Sequence, residues 1–287
     1  MRPFLVLSTV TALSCFTPLA LASADQAPYK LYQSETRALL NPKASQIFGL
    51  IPYENNYIME TYSNKDFAYD RDKMRHDEVK FQISIALPIW KDILGKNSLL
   101  AAAYTQTSWF QMTNTKDSSP FRETNYKPQL FLTWATEYPL LGGWKLSEIE
   151  TGILHESNGR DDNHHRSRSW NRIYARLGAS KGNWRVQIKP WWRIPEKKKD
   201  DDNPDIQHYR GHMDFIVDYY TPTHQAHLKT RYNPKYGKGG VELSYSYPIS
   251  ENVRFYTQYY GGYGESLIDY NKNIQRIGVG ISLNNVF

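Results

Sequence analysis

The sequence predicts an all-β chain, a transmembrane antiparallel β-barrel of about twelve strands. Three observations carry that expectation. From about residue 54 onward, segments of roughly ten residues alternate apolar with polar side chains and are separated by turn residues. Short and long connections alternate along the chain. The 22 tyrosines and 8 tryptophans suit the aromatic girdles of a membrane barrel. The mean hydropathy of -0.65, with no long apolar run after the N-terminal segment, excludes transmembrane helices but not strands that show lipid every second residue.

The elements follow in chain order. Arg2, the mostly apolar run Phe4 to Leu21 and the small residues Ala22-Ser23-Ala24 read as a secretory signal peptide over 1–24. Cys15, the single cysteine, falls inside it, so thiolate catalysis and disulfides are excluded from the mature chain. Arg2 is the one charged residue removed, leaving 34 basic against 29 acidic side chains, a net +5. Charges of both signs are mixed along the chain, which is no nucleic-acid footprint. Residues 25–50 form an N-terminal extension in which Arg37 to Leu40 suit a short helix, and 51–287 form the barrel.

Strands are expected near 54–62, 77–88, 98–112, 125–137, 145–157, 168–180, 183–193, 206–220, 224–232, 240–248, 252–263 and 273–285. Val79, Phe81, Ile83, Ile85 and Leu87 show the alternation in the second strand, and Trp184, Val186 and Ile188 in the seventh. Ile277, Val279, Ile281 and Leu283 share one face of the last, in phase with the terminal Phe287. Tight turns at 138–143, 181–182, 221–223 and 248–251 mark the periplasmic side. Long polar loops at 63–77, 113–124, 158–167 and 195–205 mark the extracellular side.

The most informative stretch is His155-Glu156-Ser157-Asn158-Gly159-Arg160, followed by Ser167-Arg168-Ser169-Trp170-Asn171. On a β-hairpin His155 and Ser157 share a face, and Asn171 approaches from the returning strand. A serine needs a base to take its proton, and an imidazole works best when a third group fixes its tautomer. Strand phase decides the surface. Arg168, Arg172 and Arg176 share one phase of the sixth strand, and each would cost roughly 2 to 4 kcal/mol facing hydrocarbon at the bilayer midplane. Their face is the lumen, where they and Glu148, Glu150 and Glu156 are expected to form an ion-pair network. His155, Ser157 and Asn171 then lie on the outer surface, in phase with Ile153, Ile173 and Leu177.

At these residues the sequence resembles the outer-membrane phospholipase A family of Gram-negative bacteria. The resemblance extends over Ser118 to Tyr126 (Ser-Ser-Pro-Phe-Arg-Glu-Thr-Asn-Tyr), Asp202-Asn203-Pro204-Asp205, and Gly262 to Asn271 (Gly-Tyr-Gly-Glu-Ser-Leu-Ile-Asp-Tyr-Asn). It implies a twelve-stranded outer-membrane barrel that hydrolyses glycerophospholipid acyl esters as a phospholipase A1/A2 and lysophospholipase. Ser157 would be the nucleophile, His155 the general acid/base and Asn171 the orienting residue. It also implies Ca²⁺ and an active homodimer, with oxygens from Arg160 (backbone carbonyl), Ser167 and Ser118 of the partner subunit. A further calcium position would use Asp162 and Asp202, with Asp161 as the alternative because the loop 161–166 is longer than the family pattern. Gln106 corresponds to a buried dimer-contact glutamine. A zinc reading of His155 with His164 and His165 finds no further ligand at suitable spacing. Two rival readings draw on other features, a passive channel on the lumenal arginines and an adhesive barrel on the long polar loops.

Overall fold

The structure is a computed structural model describing residues 35–40, 49–64, 74–115, 121–161 and 166–283. The expected signal segment, Ser118, Asp162, His164, His165 and Phe287 lie outside the described residues. Twelve antiparallel strands form one closed sheet: β1 (Tyr57–Ser63), β2 (Asp77–Lys91), β3 (Ser98–Phe110), β4 (Phe121–Pro139), β5 (Lys145–Ser157), β6 (Ser169–Lys181), β7 (Trp184–Arg193), β8 (Met213–Tyr220), β9 (Gln225–Asn233), β10 (Lys238–Pro248), β11 (Val253–Gly262) and β12 (Ile274–Leu283). Each strand pairs with its sequence neighbour, and β12 pairs with β1, with Val279 opposite Glu60, to close the ring.

Two elements differ from the sequence expectation. The predicted strand 206–220 begins only at Met213, and Ile206–Arg210 is a short helix, α2, ended at Gly211 with φ 65°. The first strand is broken at 53–56. A two-residue strand, Ile51–Pro52, pairs with Ala86 and Ile85, and β1 resumes at Tyr57 against Gln82. The Asn56 amide bridges the gap as a stand-in peptide, accepting from Ser84 N at 2.7 Å and donating to Ser84 O at 3.1 Å. Backbone groups left unpaired in a sheet are costly; this side chain supplies the acceptor for Ser84 N, while Ser84 O also accepts from Tyr53 N at 3.3 Å.

Period-two alternation sorts the side chains as hydrocarbon outside demands. Ile83, Leu87, Leu130, Ile153, Ile173, Phe215, Leu243, Ile277 and Val279 are exposed on the outer wall. Inside, Glu150 meets Arg176 at 2.6 Å and the hydroxyls of Tyr53 and Tyr174, while Asp218 meets Arg185 at 2.9 Å. Nearer the long-loop end Arg122 pairs with Glu78 and Asp269, each at 2.6 Å, and Arg276 with Glu78 at 2.9 Å. The expected lumenal ion-pair network is present, Glu156 joining it through Arg172 and Arg210 and Glu148 through Arg185.

Two further segments fill the ends of the lumen. At the short-turn end α1 (Glu35–Leu40) buries Leu39 and Leu40 with Ala86, Leu99, Ala101 and Phe131 from β2, β3 and β4. At the long-loop end the connection 263–273 folds inward. Leu267 N donates to Asn125 Oδ1 and Ile268 N to Glu123 Oε1, with both apolar side chains buried. Burial favours the neutral form of Glu265 in this loop. Arg276 and Lys80, each at 3.0 Å, outweigh burial and hold the carboxyl down at about 2. A depressed carboxylate contributes stability that is complete above its ordinary value of 4.5 and is lost as pH falls through about 2. A melting series between about pH 5 and pH 2 is therefore expected to fall in Tm, and Glu265→Gln to flatten that fall. An identical slope in the variant would remove Glu265 from the acid response.

Candidate active site

β5 and β6 set the site through their register, which places His155 opposite Asn171 and Ser157 opposite Ser169. Glu156, between the two candidate residues, is 4% exposed and points into the lumen, so His155 and Ser157 both face outward. The His155 Nδ1 lies 2.8 Å from Asn171 Oδ1. With an amide oxygen as the neighbour, Nδ1 carries the proton and donates it, which leaves Nε2 as the basic nitrogen. Ser157 Oγ accepts the Gly159 N–H at 3.0 Å. That turn requires glycine: Gly159 has φ 63°, and an added Cβ would lie 2.9 Å from the Tyr126 ring.

The hairpin tip is held from the lumenal side. Asn158 is 4% exposed; its Oδ1 accepts from Arg168 N at 2.9 Å and its Nδ2 donates to Arg166 O at 2.8 Å. The Arg160 side chain runs to β4, donating to Arg122 O at 2.5 Å and to Phe121 O at 3.2 Å. The loop after β7 is fastened to β6, where Ser169 N donates to Asn203 Oδ1 at 3.0 Å. Arg193 reaches Asp201 at 2.6 Å and Asn203 O at 3.0 Å in the same loop. The Ser167 hydroxyl thereby meets Asp202 Oδ2 at 2.5 Å.

Of the residues singled out in the sequence, the structure brings His155, Asn171 and Ser157 onto one patch, and Ser167 and Asp202 onto a neighbouring one. Gln106 faces outward from β3, accepting from the Tyr104 hydroxyl at 2.9 Å and donating to Ser108 Oγ at 3.2 Å. Among the described residues no three His, Cys, Asp or Glu side chains come together as a metal-binding group. One contact was not expected from the sequence: Asn171 Nδ2 donates to Glu196 Oε1 at 3.1 Å. Its signal lay in continuing β7 past Arg193, since Ile194 N still pairs with Asn171 O at 2.8 Å.

The family model described as Phospholipase A1 matches residues 34–283. Phospholipase A1 of Klebsiella pneumoniae is 53% identical over 246 residues, covering 84% of this chain and 84% of the relative. Its counterpart in Escherichia coli strain K12 is 51% identical, covering 84% and 83%. Among solved structures, the outer membrane phospholipase dimer of Salmonella typhi with bound calcium aligns at a TM-score of 0.81 and 47% identity, covering 89% of this chain and 99% of that one. Outer membrane phospholipase A from Escherichia coli aligns at 0.82 and 48% identity with the same coverage.

Proposed function

The chain belongs to the phospholipase A1 family, and from that premise we propose that it is a calcium-dependent outer-membrane enzyme, hydrolysing glycerophospholipid acyl esters at a Ser157-His155-Asn171 triad on its lipid-facing wall. Its activities in this reading are phospholipase A1/A2 and lysophospholipase. The observation that carries the reading is the 2.8 Å contact between His155 Nδ1 and Asn171 Oδ1, on the same outward face as Ser157. A substrate in the outer leaflet meets this face directly, with no passage through the lumen.

Each residue has one task. Ser157 Oγ attacks the acyl carbonyl while its proton moves to His155 Nε2, and Asn171 holds the imidazole in the tautomer that leaves Nε2 basic. As the tetrahedral intermediate collapses, His155 returns the proton to the departing lysophospholipid oxygen. A water, deprotonated by the same nitrogen, then cleaves the acyl-enzyme and frees the fatty acid. A serine-directed fluorophosphonate is expected to label Ser157, as peptide mapping would show. Labelling at another residue, or none in folded protein, would contradict the assignment.

The donor chemistry beside the triad suits a hard cation. Ser167 and Asp202 already converge, and the Arg160 side chain is committed to β4 while its backbone carbonyl remains a donor. In this reading the Arg160 carbonyl and Ser167, with Ser118 of the partner subunit, hold calcium at the active site of a homodimer that Gln106 helps to join, and Asp202 with the loop residue Asp162, or Asp161 in its place, holds a further calcium. Bound Ca²⁺ would polarise the ester carbonyl and stabilise the oxyanion. EDTA is expected to abolish hydrolysis, and Asp202→Asn to raise the calcium needed for half-maximal activity by roughly tenfold. A calcium titration that leaves the variant superimposed on the wild type would exclude Asp202 as a ligand.

A further inference from the structure

A triad with asparagine as its third member has two weaknesses. An amide can present either its oxygen or its NH₂ to the histidine, and only the oxygen selects the tautomer with a basic Nε2. An amide is also neutral, so it offers little to the imidazolium that forms when the serine proton is taken. The surroundings of Asn171 address both.

The geometry points to Glu196 as a positioning residue that locks the Asn171 amide and places a negative charge behind it. This inference rests on the proposed Ser157-His155-Asn171 reading. Asn171 donates from Nδ2 to Glu196 Oε1 at 3.1 Å while its Oδ1 faces His155 Nδ1 at 2.8 Å. An ionised carboxylate only accepts hydrogen bonds, so it cannot face Oδ1 favourably. The flipped amide would lose this bond and set NH₂ against the donating Nδ1. Glu196 itself is held. Ile194 N donates to Asn171 O at 2.8 Å, Pro195 restricts the backbone between them, and the side chain is 18% exposed with its second oxygen 4.0 Å from Arg193.

The charge adds to the orientation. An N–H bonded to an ionised acceptor is roughly twice as strong as one between neutral groups, and chained hydrogen bonds polarise one another. The electron density Glu196 pushes onto the amide oxygen serves the imidazolium on the other side. Glu196 touches neither substrate nor the reacting atoms, so its effect passes entirely through Asn171.

The test compares Glu196→Ala, Glu196→Gln, Asn171→Ala and the Glu196→Ala/Asn171→Ala double variant in full-length protein with saturating calcium. The readouts are kcat and KM on phospholipid micelles and the rate of fluorophosphonate labelling. Glu196→Ala is expected to lower kcat and labelling by roughly tenfold with KM unchanged, in the range that outer partners of functional histidines contribute. Glu196→Gln, which keeps an acceptor but not the charge, should recover part of that loss. In the Asn171→Ala background, removing Glu196 should cost nothing further. Wild-type rates in Glu196→Ala, or losses that multiply in the double variant, would overturn the proposal. Ser157→Ala separates the two readings. If that variant still hydrolyses ester, the triad assignment fails; if it is inactive while Glu196→Ala is unaffected, only the role of Glu196 fails.

Discussion

Ser157→Ala is expected to lower phospholipid hydrolysis by at least roughly 10³-fold while the barrel still assembles. The loss should be this large because, in the proposed mechanism, the substitution removes the atom that bonds to the acyl carbon and leaves only direct attack by water. Assembly should be unaffected. Ser157 is half-buried at the end of β5, its hydroxyl accepts the Gly159 N–H, and it takes no part in the lumenal ion pairs. Heat-modifiable gel migration would establish folding, and fatty-acid release from phospholipid micelles would establish activity. A folded variant with full activity would assign the nucleophile elsewhere.

Glu156→Leu, one residue away, is expected to act on stability. Glu156 accepts from Arg172 at 2.5 Å, from Arg210 at 2.9 Å and from the Trp170 indole at 3.1 Å, all buried. Removing the carboxylate leaves two lumenal guanidiniums without the charge at their centre, and breaking a buried pair in this way typically costs about 3–5 kcal/mol. The urea midpoint of detergent-folded protein should fall accordingly. An unchanged midpoint would mean that Arg172 and Arg210 are satisfied without Glu156. The two variants separate the faces of one strand: the expected effect at position 157 is on chemistry, that at position 156 on the fold.

The barrel was legible because a membrane imposes a strict two-residue rhythm. β2, β5, β6 and β7 lie where alternation places them, and the arginine phase of β6 assigned inside and outside correctly. The short helix at Arg37 to Leu40 was also legible, whereas two segments outside that rhythm escaped. Ile206–Arg210 reads as strand because its polar residues continue toward Met213, but Arg210 turns inward to Glu156 and Gly264 O, which a helical turn permits. The inward fold of 263–273 has no periodic signature, since Leu267 and Ile268 are adjacent and both buried. The pairing of His155 with Asn171 followed from hairpin register, whereas Glu196 lies in a charged run that reads as solvated loop.

The loop that closes the long-loop end has a consequence for how the molecule is made. Arg122 and its partner Asp269 are 147 residues apart in sequence, and Arg276 reaches Thr61 across 215. The charges of β2 and β4 thus receive Glu265, Asp269 and Arg276 only when the last hairpin arrives. Contacts this distant repay their loop-closure entropy only at the final step. Glu78 and Arg122 pair with each other across β2 and β4, and the last hairpin adds Arg276 to the one and Asp269 to the other. The C-terminal hairpin therefore does two things at once: β12 closes the sheet against β1, and the loop before it supplies the last charges of the lumenal network.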